Sequence, residues 1–362
     1  MPGGSPPGFN PTTMSDQTTA QQPTPAHIMQ IGMGFWASKT LLTAVKLKLF
    51  TLLAGTKLSA AAIKKEYQFQ TTDRHVYDWL DTLVALGFLQ RDGILATALY
   101  YNATETEIFL DTKKPSYMGG ILEMGNNRLY RFWGDLDEGL KTGLPQNESK
   151  HASNMNFFED LYKDESKLHE FMNAMSGIQT GNFMALVHKF DFSNYDTMAD
   201  IGGADGWLTI QVALNHPNIK CITYDLPPVE PLAKNKIAQF NLSNRITTLS
   251  GDILKDELPS AQIITMGNIL HGFNEDTKQL VIKKVYDALP DDGVFIAIEN
   301  IIDDTRNKNA FGLMMSLNML IENGDAFDYT PTDFSQWATT AGFKKVEIIP
   351  LAGPTSAAIA YK

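Results

Sequence analysis

The chain has a single cysteine, Cys221, in 362 residues. No internal disulfide can form, and a reducing compartment is the expected setting. Basic residues are also short: 30 Lys and Arg stand against 41 Asp and Glu, for a formal net charge of −11. A surface of that sign repels phosphate backbones and anionic headgroups, which argues against nucleic-acid and membrane-surface partners. No apolar run reaches the roughly 18–20 residues that a bilayer span needs. The N-terminal stretch lacks the basic start and apolar centre of a secretory signal, and the arginines of a transit peptide. These absences predict a cytoplasmic chain. What the chain does have is 43% hydrophobic residues against 20% charged ones, the balance of a globular protein that buries a real core.

Its organisation reads in three parts. Residues 1–25 hold six of the 17 prolines, three glycines and one charged side chain, Asp16, and predict a disordered tail. Residues 26–112 read as helical at first. Ile28, Ile31, Met33, Phe35, Leu41, Leu42, Val45 and Leu49 recur at three- and four-residue steps on more than one face, so this segment packs on its own domain and on something else. A second helix is expected from Leu58-Ser59-Ala60, and a third capped by Asp73. A hairpin turning at Asp92-Gly93 follows. Three helices and a hairpin form a winged-helix pattern. Residues 51–112 carry five Lys and Arg against eight Asp and Glu, the wrong sign for a groove reader, so a dimerisation and scaffold role is expected. Residues 113–362 make the third part. It opens with a wall of methionines and aromatics, among them Tyr130, Trp133, Phe157, Phe158, Tyr162, Met172, Met175, Phe183 and Met184. Such side chains build a core, or a pocket for a flat apolar molecule.

Strand-like runs follow at 198–201, 221–224, 246–249, 263–266, 294–298, 346–349 and 357–360, with helical stretches between the first five. That alternation predicts a doubly wound, mostly parallel α/β sheet with an antiparallel terminal pair, and a ligand at the carboxyl ends of the strands. The first strand runs into Asp200-Ile201-Gly202-Gly203-Ala204-Asp205-Gly206, a turn through which backbone can approach a ligand closely. A dinucleotide fingerprint would place glycine at 204 and 207, where Ala204 and Trp207 stand. Asp225 ends the second strand, where a carboxylate takes both hydroxyls of a ribose. Gly251-Asp252-Ile253 ends the third, with an acid for an adenine amino group and an apolar side chain for the ring. His271 follows the fourth strand and Glu299 the fifth, so a carboxylate can orient an imidazole and stabilise its protonated form. Asp328, after a helix at 311–321, is a candidate second acid.

Taken in order, these stretches resemble the plant-type small-molecule O-methyltransferases that use S-adenosylmethionine, such as the caffeate and acetylserotonin enzymes. Asp200–Gly206, Tyr224-Asp225-Leu226-Pro227, Gly251-Asp252-Ile253, Ile269-Leu270-His271, Ala297-Ile298-Glu299 and Ala341-Gly342-Phe343 carry the likeness, which spans residues 26–362. The resemblance implies a Rossmann-like class I methyltransferase domain behind a winged-helix dimerisation domain, a homodimer, and a small-molecule acceptor. It implies His271 as general base with Glu299 and Asp328 beside it. Gly202, Gly203, Asp225, Leu226, Gly251, Asp252, Ile253, Asn268 and Phe171 fall where the family binds its cofactor. Met175, Met314, Asn318, Met319, Asn323, Tyr130 and Trp133 fall around the acceptor. There are three departures from the family pattern: Ala204 ends the glycine triplet, Asn268 replaces a common basic residue, and Gly272-Phe273 replace Asp-Trp.

The leading expectation is therefore methyl transfer to an oxygen. Transfer to the sulfur of a thioether acid, or to carbon, keeps the fold and cofactor but needs no proton removed by His271. A cofactor-binding protein that is not a transferase is the third possibility. His271 has no adjacent carboxylate in sequence, and the seven histidines show no close ligand spacing, so no metal is expected.

Overall fold

The computed structural model describes residues 23–114, 116–151 and 165–362. Phe157, Phe158 and Tyr162 lie outside the described residues, as does most of the predicted tail.

The opening apolar segment folds as three helices, Ala26–Gly32, Gly34–Lys46 and Leu49–Leu52. Lys48, with φ of 56°, breaks the second from the third. Helices Ala60–Glu66 and Asp73–Ala85 follow, and strands β1 (Leu58–Ser59), β2 (Leu89–Asp92) and β3 (Leu99–Asn102) form a small antiparallel sheet in the order β1-β3-β2. Leu49, Phe50, Ile63, Leu80, Leu83 and Tyr100 fill the core between them. Two local expectations are corrected here. Thr72, not Asp73, caps the fifth helix: its side chain accepts the His75 N–H, and Asp73 is the first helical residue. The hairpin is also longer than a two-residue turn, because Asp92 pairs with Leu99. Gly93 and Leu95 both take positive φ, and Thr97 closes a 3₁₀ turn onto the Ile94 carbonyl, so residues 93–98 form a looped wing.

The second half is a seven-stranded sheet. Its strands are β4 (Thr197–Ile201), β5 (Lys220–Asp225), β6 (Ile246–Ser250), β7 (Ile263–Gly267), β8 (Val294–Glu299), β9 (Lys345–Pro350) and β10 (Ser356–Tyr361), in the order β6-β5-β4-β7-β8-β10-β9. β4 to β8 run parallel, while β10 is antiparallel to both β8 and β9. β8 is buried along its whole length, which is why it reads as an unbroken apolar run. Apolar clusters cover both faces. One includes Leu186, Ile210, Val212 and Ile298; the other includes Val281, Phe295, Phe334 and Trp337.

Helices Trp207–Asn215 and Glu230–Gln239 make the first two crossovers. No helix joins β6 to β7, contrary to expectation. Residues 251–262 cross in turns, with Asp252 accepting the Leu254 N–H and Pro259 in the run. The chain reverses its direction of travel across the sheet between β4 and β7, and doubly wound sheets bind ligands at such a reversal.

Candidate active site

β4 delivers the chain into Gly202 and Gly203 at that reversal. Gly202 has φ of 71°, and a Cβ there would lie 2.3 Å from Ile269 Cδ1. At Gly203 a Cβ would lie 2.3 Å from Thr223 Oγ1 and 3.0 Å from the Asp200 carbonyl. Only glycine lets the turn sit this tightly on its neighbours. Asp225 ties the turn from β5: one carboxylate oxygen accepts the Ala204 N–H at 2.8 Å, the other the Leu226 N–H at 2.7 Å. Burial raises its pKa against the pull of those two donors. Asp200 is also buried, bonded to the Thr265 hydroxyl at 2.6 Å, and burial pushes its carboxyl up to about 7. Asp205 accepts the Ser176 hydroxyl and pairs with Lys236 at 2.5 Å, which fastens the turn to two helices.

A cavity of about 170 Å³ opens over this turn. Gly202, Gly203, Asp225, Asn268 and Met175 line it. So do Met172, Ser176 and Gln179, which share a face of the helix Glu165–Lys189. Phe171 belongs to the same helix, but its side chain lies outside the described residues. Asn268 takes φ of 53° at the end of β7, and its buried side-chain oxygen has no hydrogen-bond partner. Gly251 is held against the Tyr224 hydroxyl, where a Cβ would come within 2.1 Å. Asp252 turns one oxygen to its own backbone turn and the other to Lys255 at 2.8 Å, and Ile253 packs on the apolar cluster below.

Beyond the cavity, a 3₁₀ turn, Leu270–Gly272, carries His271. One Glu299 oxygen accepts the N–H groups of Ile269 and His271, at 3.1 and 3.4 Å. The other lies 3.6 Å from His271 Nδ1, and Asp328 approaches the same nitrogen to 3.4 Å. All three residues are buried. Burial alone disfavours an imidazolium, but the two carboxylates outweigh it and raise His271 to about 9. Burial in turn raises Glu299. Asp328 is held by the Ser316 hydroxyl, which accepts its backbone N–H at 3.2 Å. The three side chains bring one ligand-type atom each within 4.8 Å of the others.

Three comparisons bear on this arrangement. The family model of the O-methyltransferase domain matches residues 133–344, and that of the O-methyltransferase dimerisation domain matches residues 29–112. The chain belongs to the O-methyltransferase family. It is 33% identical over 338 residues to the tetracenomycin polyketide synthesis 8-O-methyl transferase TcmO of Streptomyces glaucescens, covering 93% of this chain and 97% of that protein. The crystal structure of human N-acetylserotonin methyltransferase with S-adenosylmethionine superposes with a TM-score of 0.85 at 25% identity, over 94% and 99% of the two chains. PigF, with S-adenosylhomocysteine bound, gives 0.83 at 26%, over 94% and 100%; its sequence relative comes from a Serratia species.

This O-methyltransferase acts on small molecules with S-adenosylmethionine as methyl donor, and its own residues fit that donor. The glycine cradle leaves open the space a Cβ would fill, Asp225 has lone pairs to spare beyond its two backbone bonds, and Asn268 lines the cavity. On the other side of His271, helix Ala310–Asn323 brings Asn318 to Trp133, whose indole N–H it accepts at 2.9 Å, and Asn323 to the Gly272 carbonyl at 3.3 Å. Met319 is buried on this helix and Met314 is half exposed. The Tyr130 hydroxyl donates to the Phe35 carbonyl, and its ring lies under Lys39. Ser176, Gln179, Asp205 and Trp207 were not singled out as ligand-binding from the sequence. Only their spacing on one helix face, or their place in the glycine turn, could have marked them.

Among the described residues, no helix is long and apolar enough to cross a membrane.

Proposed function

We propose that the acceptor is a phenol-like hydroxyl on a flat, largely apolar molecule, and that His271 removes its proton. The observation that carries this reading is Nδ1 of His271 flanked by Glu299 and Asp328 at 3.6 and 3.4 Å. With Nδ1 turned to the acids, Nε2 is the nitrogen left to take a proton from an acceptor. A base raised to about 9 is well matched to a phenolic hydroxyl, whose ordinary pKa is about 10, so the transfer is nearly balanced. The bound donor supplies an activated sulfonium methyl. The protein's part is to hold the acceptor oxygen in line with it, exclude water and accept the proton. In this reading Gly202, Gly203, Asp225, Leu226, Asn268, Gly251, Asp252, Ile253 and Phe171 hold the donor. Met175, Trp133, Asn318, Met319, Met314 and Asn323 shape the acceptor side. Tyr130 is assigned instead to the junction with the N-terminal helices.

A thioether acceptor has no proton to lose and would leave the two buried acids without a task. The paired assay is turnover of a phenolic panel and a thioether-acid panel by wild type and His271→Ala. Loss of about 10²–10⁴-fold on phenols in the variant, with donor affinity retained, is the expected result. Undiminished turnover sinks the general-base role. The triad also has the residue types of a metal site; we read it as a proton site, and a metal assay on the purified protein tests that choice.

The exposed Ile28, Ile31, Phe35 and Trp36 on the first two helices support a homodimer built on residues 26–112. The reduced, buried Cys221 is compatible with a cytoplasmic setting.

A further inference from the structure

The helix Glu275–Ala288 begins just after the histidine turn and contains a residue that neither its position nor its chemistry explains. Lys278 lies in the opening turn, at the positive end of the helix dipole, where a cation is disfavoured. It is also fully buried, although lysine ordinarily extends its ammonium to water. Its Nζ donates to the carbonyl of Phe273, two residues beyond His271, and sits 3.7 Å over the ring of Phe327, one residue before Asp328. One ammonium thus joins the two loops that carry the base and its second acid. The charged groups facing it are Glu299, Asp328, Asp325 and Glu275, with His271 as the cation it repels. Asp325, bonded to Asn274, and Glu275, bonded to the Trp337 indole, are exposed, and water screens their charge. Glu299 and Asp328 are the buried acids left to balance the charge.

We propose that Lys278 is a positioning residue for the methyl-transfer site: it braces the His271 and Asp328 loops and supplies the fourth charge of a buried, neutral quartet with His271, Glu299 and Asp328. The inference rests on the reading of His271 as the base. Two carboxylates against one imidazolium leave an uncompensated negative charge, which binds the last proton tightly and keeps the base occupied. The ammonium cancels that charge without touching the acceptor. It raises the share of neutral imidazole at working pH, and it favours the ionised form of Glu299 against the cost of that residue's burial. Burial lowers Lys278 to about 8 against the pull of the acids, so the ammonium is present at neutral pH and is lost before most of His271 gives up its proton.

The test uses the full chain with Lys278→Met, which keeps the stem and removes the charge, and Lys278→Gln, which keeps a donor for the Phe273 carbonyl. Donor binding by calorimetry confirms that each variant is folded. The titration of the His271 imidazole is followed by NMR, and kcat/KM is measured against pH with a phenolic acceptor. In both variants the share of neutral imidazole falls roughly tenfold below about pH 8, where the wild-type ammonium is charged, and kcat/KM falls with it, while the profiles converge at higher pH and donor KM stays near wild type. In Lys278→Met kcat falls further than in Lys278→Gln, because the brace is lost as well. A His271 titration that is unchanged below pH 8 in a folded variant overturns the proposal. A titration that changes while the rate profile does not supports the charge coupling and overturns the general-base reading instead.

Discussion

His271 is held in a state that makes its pH dependence one-sided. Its imidazolium is stabilised by Glu299 and Asp328 against the cost of burial, so the imidazole becomes neutral, as the proposed base must be, only as pH rises through about 9. kcat/KM on a phenolic acceptor is expected to climb through the neutral range and level off above that value. Asp328→Asn removes a negative charge from beside Nδ1, which destabilises the imidazolium. The sign is therefore downward: the midpoint falls by about one unit or more while the plateau rate drops. A pH–rate profile of the variant checks both, and a midpoint that stays or rises contradicts the placement of Asp328 at the base. At this scale the sequence was informative wherever a residue closes a strand, because the sheet dictates where strand ends go. His271, Glu299 and Asp225 fall in that class. Lys278 did not stand out, since Glu275-Asp276-Thr277-Lys278-Gln279 reads as a solvated helix start. Nothing in that string says that the chain after Phe327 closes over it.

The turn after β4 is the element with the least freedom. Gly203→Ala would press a methyl onto Thr223 Oγ1 and the Asp200 backbone, neither of which can retreat from the sheet. A loss of about 1–3 kcal/mol in stability is expected, with a larger proportional loss in donor affinity. Denaturant unfolding and calorimetry separate the two. The helix Pro331–Ala341 offers a contrasting case. Thr330 caps it, accepting the Asp333 N–H at 3.1 Å while Asp333 returns a bond to the Thr330 N–H at 2.9 Å. Thr330→Ala should cost about 1 kcal/mol in unfolding free energy. It should also loosen Asp328, two residues upstream, and so lower kcat more than KM. The strands of the large sheet were legible because burial on both faces makes them continuous apolar runs. The 93–98 wing and the 251–262 crossover were not: polar segments of similar composition can turn at once, loop or coil, and tertiary contacts choose among these.

At the scale of the whole molecule, the N-terminal helices are out of balance with the rest. Ile28 is 74% exposed, Ile31 69% and Trp36 62%, a stripe of apolar surface with nothing of its own chain over it among the described residues. Ile31→Glu combined with Trp36→Glu is expected to convert a dimer to a monomer in analytical ultracentrifugation, with the fold of residues 165–362 retained by circular dichroism. A variant that stays dimeric removes this stripe from the interface. The stripe was legible as a repeating pattern on more than one face; which copy or partner it meets was not, because one chain's sequence records only its own half of a contact. The division of labour along the chain has a further consequence. The groups assigned to the donor lie mainly between residues 200 and 268. Of those assigned to the acceptor, Met314, Asn318, Met319 and Asn323 lie with Asp328 in one continuous stretch between the end of β8 and the Thr330 cap, while Trp133 and Met175 lie before it. A single exchange of that segment between relatives would replace most of the assigned acceptor wall and one acid together, while the glycine cradle, the histidine and the sheet stay intact. Diversification of acceptors by recombination thus has a natural cassette here, with its two joints at the end of a buried strand and at a capped helix.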